Sequence, residues 1–172
     1  MKAFVSLKNR LTSENTLTVQ SEGGYISEVG FEWKKAASKH ELLNFERKNS
    51  IVLPESFKEF LLLSNGATLF KDIKYGQWGC TIYGLDDLLE ITNKAKTWGY
   101  DINSNWLVFA SWIGDCDVLI FDLRKSRNNE NNYIIDGNSS ESVNDWQPIK
   151  GDFSKWFDRL VVAQGCKYWR WY

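Results

Sequence analysis

A chain of 172 residues, 43% hydrophobic and 15% aromatic, is long enough for one well-buried core and short for two, so a single domain over residues 1–172 is expected. Its 21 basic and 22 acidic residues leave a net charge of −1, which argues against a nucleic-acid binder relying on a strong positive field. The three cysteines form no spaced pair and no apolar run approaches a membrane span or a signal-peptide core, so the expectation is a cytoplasmic protein with reduced thiols and no membrane contact.

In chain order, Phe4, Leu7 and Leu11 lie at helical spacing, which predicts a short amphipathic helix over 2–11. Leu17 and Val19 alternate with polar neighbours in a strand over 16–20, ended by Gly23-Gly24. Residues 25–33 show no clear period and read as a loop anchored by Phe31 and Trp33. Ser38 and Glu41 form a capping box, so a helix is expected over 39–48. The stretch 53–70, LPESFKEFLLLSNGATLF, is a helix-to-strand unit. Pro54 suits its first turn, Phe57, Phe60 and Leu61 supply its buried face, and Asn65-Gly66 stops it, Gly66 taking the left-handed conformation.

Beyond Phe70 the period changes to that of strands. Strands over 67–71 and 77–83 pair as a hairpin, and Leu85, Leu88, Leu89 and Ile91 start a helix closed by Gly99. Residues 106–110 and 116–123 form the clearest hairpin, connected through 111–115. Val118 and Ile120 occupy one face of its second strand and Leu119 and Phe121 the other, which makes that strand central and covered on both sides. A polar loop over 124–132, a strand over 133–136, a turn-rich connection over 137–144 and a helix over 151–164 complete the chain. Helices flanking consecutive, shortly connected strands give an α+β class: a mostly antiparallel twisted sheet with helices packed on it.

Chemistry-bearing residues are sparse. His40, the single histidine, sits in a charged helical turn and reads as solvent-facing. Cys80 and Cys116 fall in predicted strands without basic neighbours to make a thiolate. Asp115 and Asp117 form a D-x-D pair that either holds a divalent cation or sits as two outward aspartates at a strand edge; the second reading is preferred, and no cofactor or metal is expected. Binding features are stronger. Trp112 lies in a predicted hairpin connection beside carboxylates, where it either anchors a partner or covers the sheet end. The tail, residues 168–172, holds four aromatics; it forms a recognition or dimerisation patch or, by default, folds back over the sheet. Residues 51–122 carry ten acidic against five basic side chains, an acidic middle suited to a basic protein partner.

The stretch over 53–70 resembles the signature of the SUKH superfamily: LP, an aromatic, a Phe-Leu pair and an Asn-Gly turn running into a strand. IYGLDDLLEI (82–91), WLVFASWIGDCDVLIFDL (106–123) and DFSKWFDRLV (152–161) follow in that family's order. The resemblance implies a SUKH-like fold and, for many bacterial members, an immunity protein that binds and neutralises the toxin domain encoded with it, often a basic nuclease. A regulatory scaffold or ligand-binding module is the alternative, and an enzyme is not expected. The residues assigned to the partner-binding surface from charge and expected exposure are Trp78, Asp86, Asp87, Trp112, Asp115 and Asp117.

Overall fold

The computed structural model describes residues 1–171, Glu22 through its backbone only. Eight strands, β1 (Thr16–Gln20), β2 (Ile26–Trp33), β3 (Ala67–Asp72), β4 (Gly79–Ile82), β5 (Trp106–Ile113), β6 (Val118–Asp122), β7 (Ile134–Gly137) and β8 (Gln147–Ile149), form one sheet. Every strand pairs antiparallel with its neighbour in sequence, so spatial order and chain order coincide. The helices are α1 (Lys2–Lys8), α2 (Lys39–Asn49), α3 (Glu55–Leu61), α4 (Leu88–Thr97), α5 (Leu123–Arg127) and α6 (Phe153–Val162). This is the expected α+β class.

Two cores lie on opposite faces of the sheet. On the first, Phe57 and Phe60 of α3 and Phe153, Trp156 and Phe157 of α6 pack on Phe109, Leu119 and Phe121. Phe109 and Phe121 stack across the β5–β6 pair at 3.9 Å and 5°. On the second face, Ile91 and Ala95 of α4 cover Val108, Val118 and Ile120. The two apolar faces expected of β6 are thus both buried, and each fully buried Leu or Phe contributes about 1.5–3 kcal/mol of transfer free energy.

Local chemistry explains most boundaries. Ser38 caps α2 by accepting the Glu41 N–H at 3.2 Å, and Glu41 accepts the Ser38 N–H at 2.6 Å. Glu46 of α2 accepts the Leu53 N–H at 2.8 Å and reaches Lys58 of α3, which fixes the angle between these helices. Helix α3 stops at Leu61, short of the expected Asn65-Gly66, because other backbone groups compete for its end. Ala37 donates to the Leu61 carbonyl at 2.9 Å and Asn65 donates to Lys35 at 3.2 Å. Gly66, at φ +102°, turns the chain into β3 rather than capping the helix.

Four expectations are corrected. Residues 26–33 are a strand, not a loop; Val29, Phe31 and Trp33 point inward, but outward Ile26 and the central Gly30 mask the alternation. Residues 123–127 are helical where a loop was expected, because Asp122 accepts the N–H groups of Arg124 and Lys125 at 3.0 and 3.1 Å. Strand β8 was not anticipated, being three residues long with Pro148 at its centre. Strand β5 runs on to Ile113 through a bulge at Phe109, so Trp112 is a strand residue and Cys116 an exposed turn residue.

Candidate binding cleft

The sheet splits at one end. Strand β3 pairs with β2 only as far as Asp72, opposite Val29, so Ile26, Ser27 and Glu28 have β1 on one side and no strand on the other. The β3 end is built by Asp72 itself. Its N–H donates to the Trp78 carbonyl at 2.9 Å, and its carboxylate accepts the N–H groups of Lys74 and Tyr75 at 2.9 and 3.2 Å, forming the tight β3–β4 tip. On the other side Ser21 donates to the Tyr25 carbonyl at 2.8 Å and closes the β1–β2 tip.

Between these tips lies a cleft of about 1060 Å³. Its floor is Val19, Val29 and Phe70. Phe70 stands at a bulge where Leu69 and Phe70 together oppose Phe31; its φ of +52° turns the ring inward, edge-on to Phe31 at 4.9 Å. The walls are apolar and open to solvent: Tyr25 is 77%, Ile26 71% and Tyr75 66% exposed, with Ile73 and Trp78 beside them. Ile73 lies over Gly30, where any Cβ would meet its Cγ2 at 2.9 Å. Single exposed apolar residues are ordinary, but five around one concavity form a patch of the kind that marks a binding surface.

The chain's tail closes the back of the cleft. Gln164 and Cys166 line it, and the Gln164 amide bonds both backbone groups of Gln20, accepting at 3.0 Å and donating at 3.2 Å. Next along, Lys167 bridges Asp115 at 2.7 Å and Asp117, and Arg170 reaches Asp117 at 2.6 Å and Asp136 at 2.7 and 2.8 Å. Lys167 also lies 4.9 Å from the Trp112 ring and 5.5 Å from that of Trp78. Burial alone would raise the Asp117 carboxyl, but the hydrogen bonds from Lys167 and Ser139 outweigh it and hold the group down at about 2. The Arg170 guanidinium is raised by its hydrogen bonds to Asp136, against burial. Tyr168 and Trp169 fold back as expected by default, Trp169 meeting Trp112 at 5.5 Å and Trp156 at 6.4 Å; Tyr172 lies outside the described residues.

Of the six residues chosen from sequence, four gather at this end of the sheet. Trp78 is exposed on the cleft. Trp112 and Asp117 are 3% and 4% exposed, which corrects the exposure expected of them: the β5 bulge turns Trp112 onto the α6 side, and Asp117 faces the tail cations. Asp115 is half-buried against Lys167, so the D-x-D pair is a receptor for the tail and not two outward aspartates. Asp86 and Asp87 sit beyond the opposite end of β4, where Asp87 pairs with Lys34 at 2.6 Å and Asp86 is exposed. Sequence reasoning missed Tyr25, Ile26, Ile73, Tyr75 and Gln164. The available signal was apolar residues at two turn segments, Tyr25 and Ile26 directly after Gly23-Gly24 and Ile73 and Tyr75 within 72–76, where a turn needs none.

His40 is exposed and its ring meets the Asn44 amide at 3.2 Å; burial pushes the Cys80 thiol up, away from thiolate chemistry. Among the described residues no helix is long and apolar enough to cross a membrane. The cleft offers apolar contact and backbone groups, an arrangement suited to holding another polypeptide.

The model of the SMI1 / KNR4 family (SUKH-1) matches residues 36–159. The chain is similar to two proteins of Bacillus subtilis (strain 168). It is 27% identical over 175 residues to uncharacterized protein YobM, covering 99% of this chain and 90% of that one. It is 26% identical over 147 residues to uncharacterized protein YnaB, covering 84% and 90%.

Proposed function

Because this chain belongs to the SMI1 / KNR4 family (SUKH-1), we propose that it is an immunity protein, a non-catalytic binder that neutralises a cognate toxin domain by covering its working surface. The observation that carries the reading is the open apolar cleft between the two hairpin tips, with Tyr25, Ile26, Ile73, Tyr75 and Trp78 on its walls. Exposed aromatics supply binding energy at small conformational cost, and a few such anchors dominate a typical interface. The partner in this reading is a basic, nuclease-type toxin domain met in the cytoplasm, and the whole chain acts as one SUKH-type unit. The acidic middle has a smaller part than its charge suggests. Asp87, Asp115 and Asp117 are engaged by Lys34, Lys167 and Arg170, which leaves Asp86 as the one unpaired carboxylate of the four. The aromatic walls therefore hold the toxin, and the remaining exposed carboxylates steer its approach.

The test is co-expression with the toxin domain that this reading expects in an adjoining gene. Wild type should rescue growth. Tyr75→Ala with Trp78→Ala should weaken binding by about 30-fold or more and abolish rescue while the melting temperature stays within a few degrees, since Tyr75 is largely solvent-facing and Trp78, 40% exposed, lies outside both cores. Full rescue by that variant would remove the cleft from the interface, and failure of wild type to bind the toxin would favour a regulatory scaffold.

A further inference from the structure

The geometry points to a specific mode of binding within the reading just given: an extended strand of the toxin domain enters the cleft and pairs with the free edge of β2. The direction of the backbone carries this. Gln20 turns its N–H and C=O away from β2, toward the Gln164 amide. Polar groups alternate along an antiparallel pair, so Ile26 opposite Gln20 and Glu28 opposite Thr18 turn theirs away from β1. Phe31, three residues beyond Glu28, confirms the phase by donating toward the β1 side, to Asn15 at 2.9 Å. The groups of Ile26 and Glu28 therefore face the cleft, and β3 ends before it can meet them.

Two residues at ladder spacing, each offering a donor and an acceptor, are matched by another extended backbone. A helix, whose backbone is bonded internally, cannot supply the match. An added strand would place alternate side chains on the two faces of the sheet, against walls formed by Ile26, Ile73, Tyr75 and Trp78. Glu28, Asp72 and Lys74 set two carboxylates against one ammonium at the cleft, which favours a strand carrying a basic residue and fits the basic partner. The outer edges of the sheet lack this opening. On β1, Thr12 bonds both backbone groups of Thr16 while Gln164 bonds those of Gln20, and β8 carries Pro148.

The experiment is amide hydrogen exchange on the full chain with two probes: the toxin domain that the immunity reading expects in an adjoining gene, and twelve-residue peptides selected on the chain from a random display library. Binding should slow exchange at Ile26 and Glu28 at least tenfold with either probe. Glu28→Pro, which deletes a cleft-facing N–H and spares the β1 ladder, should weaken binding at least tenfold and abolish protection at Ile26, whereas Glu28→Gln, which removes the carboxylate and keeps the N–H, should retain protection at both amides. Toxin binding that leaves Ile26 and Glu28 exchanging as in the free chain overturns strand pairing and leaves immunity standing. Peptides that protect these amides while the toxin does not bind support the strand site and remove the toxin reading. Protection by neither probe overturns the inference.

Discussion

Asp117 does at the scale of one residue what a disulfide does in other small domains: it ties a late segment to an early one. Its carboxylate is buried, accepts from Ser139 and lies between Lys167 and Arg170, whose other carboxylate partners are Asp115 and Asp136. Its folded pKa of about 2 lies below the ordinary 3.8, so its contribution to stability is fully present above about pH 4 and is lost as the pH falls toward 2. Asp117→Asn leaves Lys167 with Asp115 and Arg170 with Asp136 and should cost about 1.5–3 kcal/mol at pH 7 in guanidinium unfolding; the loss between pH 4 and 2 should be correspondingly shallower in the variant. The D-x-D pair was visible in the sequence, but its meaning was not. Lys167 and Arg170 stand some fifty residues downstream, and no local spacing links them to the pair.

At the scale of elements, caps decide where helices begin even in segments too polar to predict. Asp122→Ala should destabilise the chain by about 1 kcal/mol and melt α5, read as accelerated exchange of the Arg124 and Lys125 amides. Gln164→Ala should free the β1 edge, cost about 1–2 kcal/mol and increase association in sedimentation velocity relative to wild type. The elements that the sequence made legible, α2, α3, β6 and α6, carry a capping box, an apolar run or a helical face within one window. Those it hid depend on partners outside any window. Strand β2 is defined by β1 and β3 on either side, β8 by β7, and the end of α3 by Ala37. The cleft was hidden for the same reason: a strand that outlasts its neighbour leaves no mark in its own residues, and only Trp78 among the six chosen positions lies on it.

For the whole molecule, one sheet is roofed on both faces, the second by α4, which directly precedes β5, and the first by segments from distant parts of the chain. Helix α6 and the tail complete the first roof, Trp169 bridging Trp112 of β5 and Trp156 of α6. Truncation after Gly165 should therefore leave native-like far-ultraviolet dichroism, weaken the near-ultraviolet aromatic signal and induce dye binding, the signature of lost packing on retained secondary structure. The meander order has another consequence, during translation. Every strand from β2 onward has its first partner behind it in the chain, so the sheet can grow strand by strand, each one emerging to a partner already made. Its roof cannot. The aromatic face of β5 and β6 has α3 over only part of it until residues 153–171 are made, and at about 5–20 residues per second the thirty residues from β6 to α6 alone take about 1.5–6 seconds. During that interval part of the aromatic face is open to holdase chaperones, and its length is set by the order in which the gene spells the sheet and its cover.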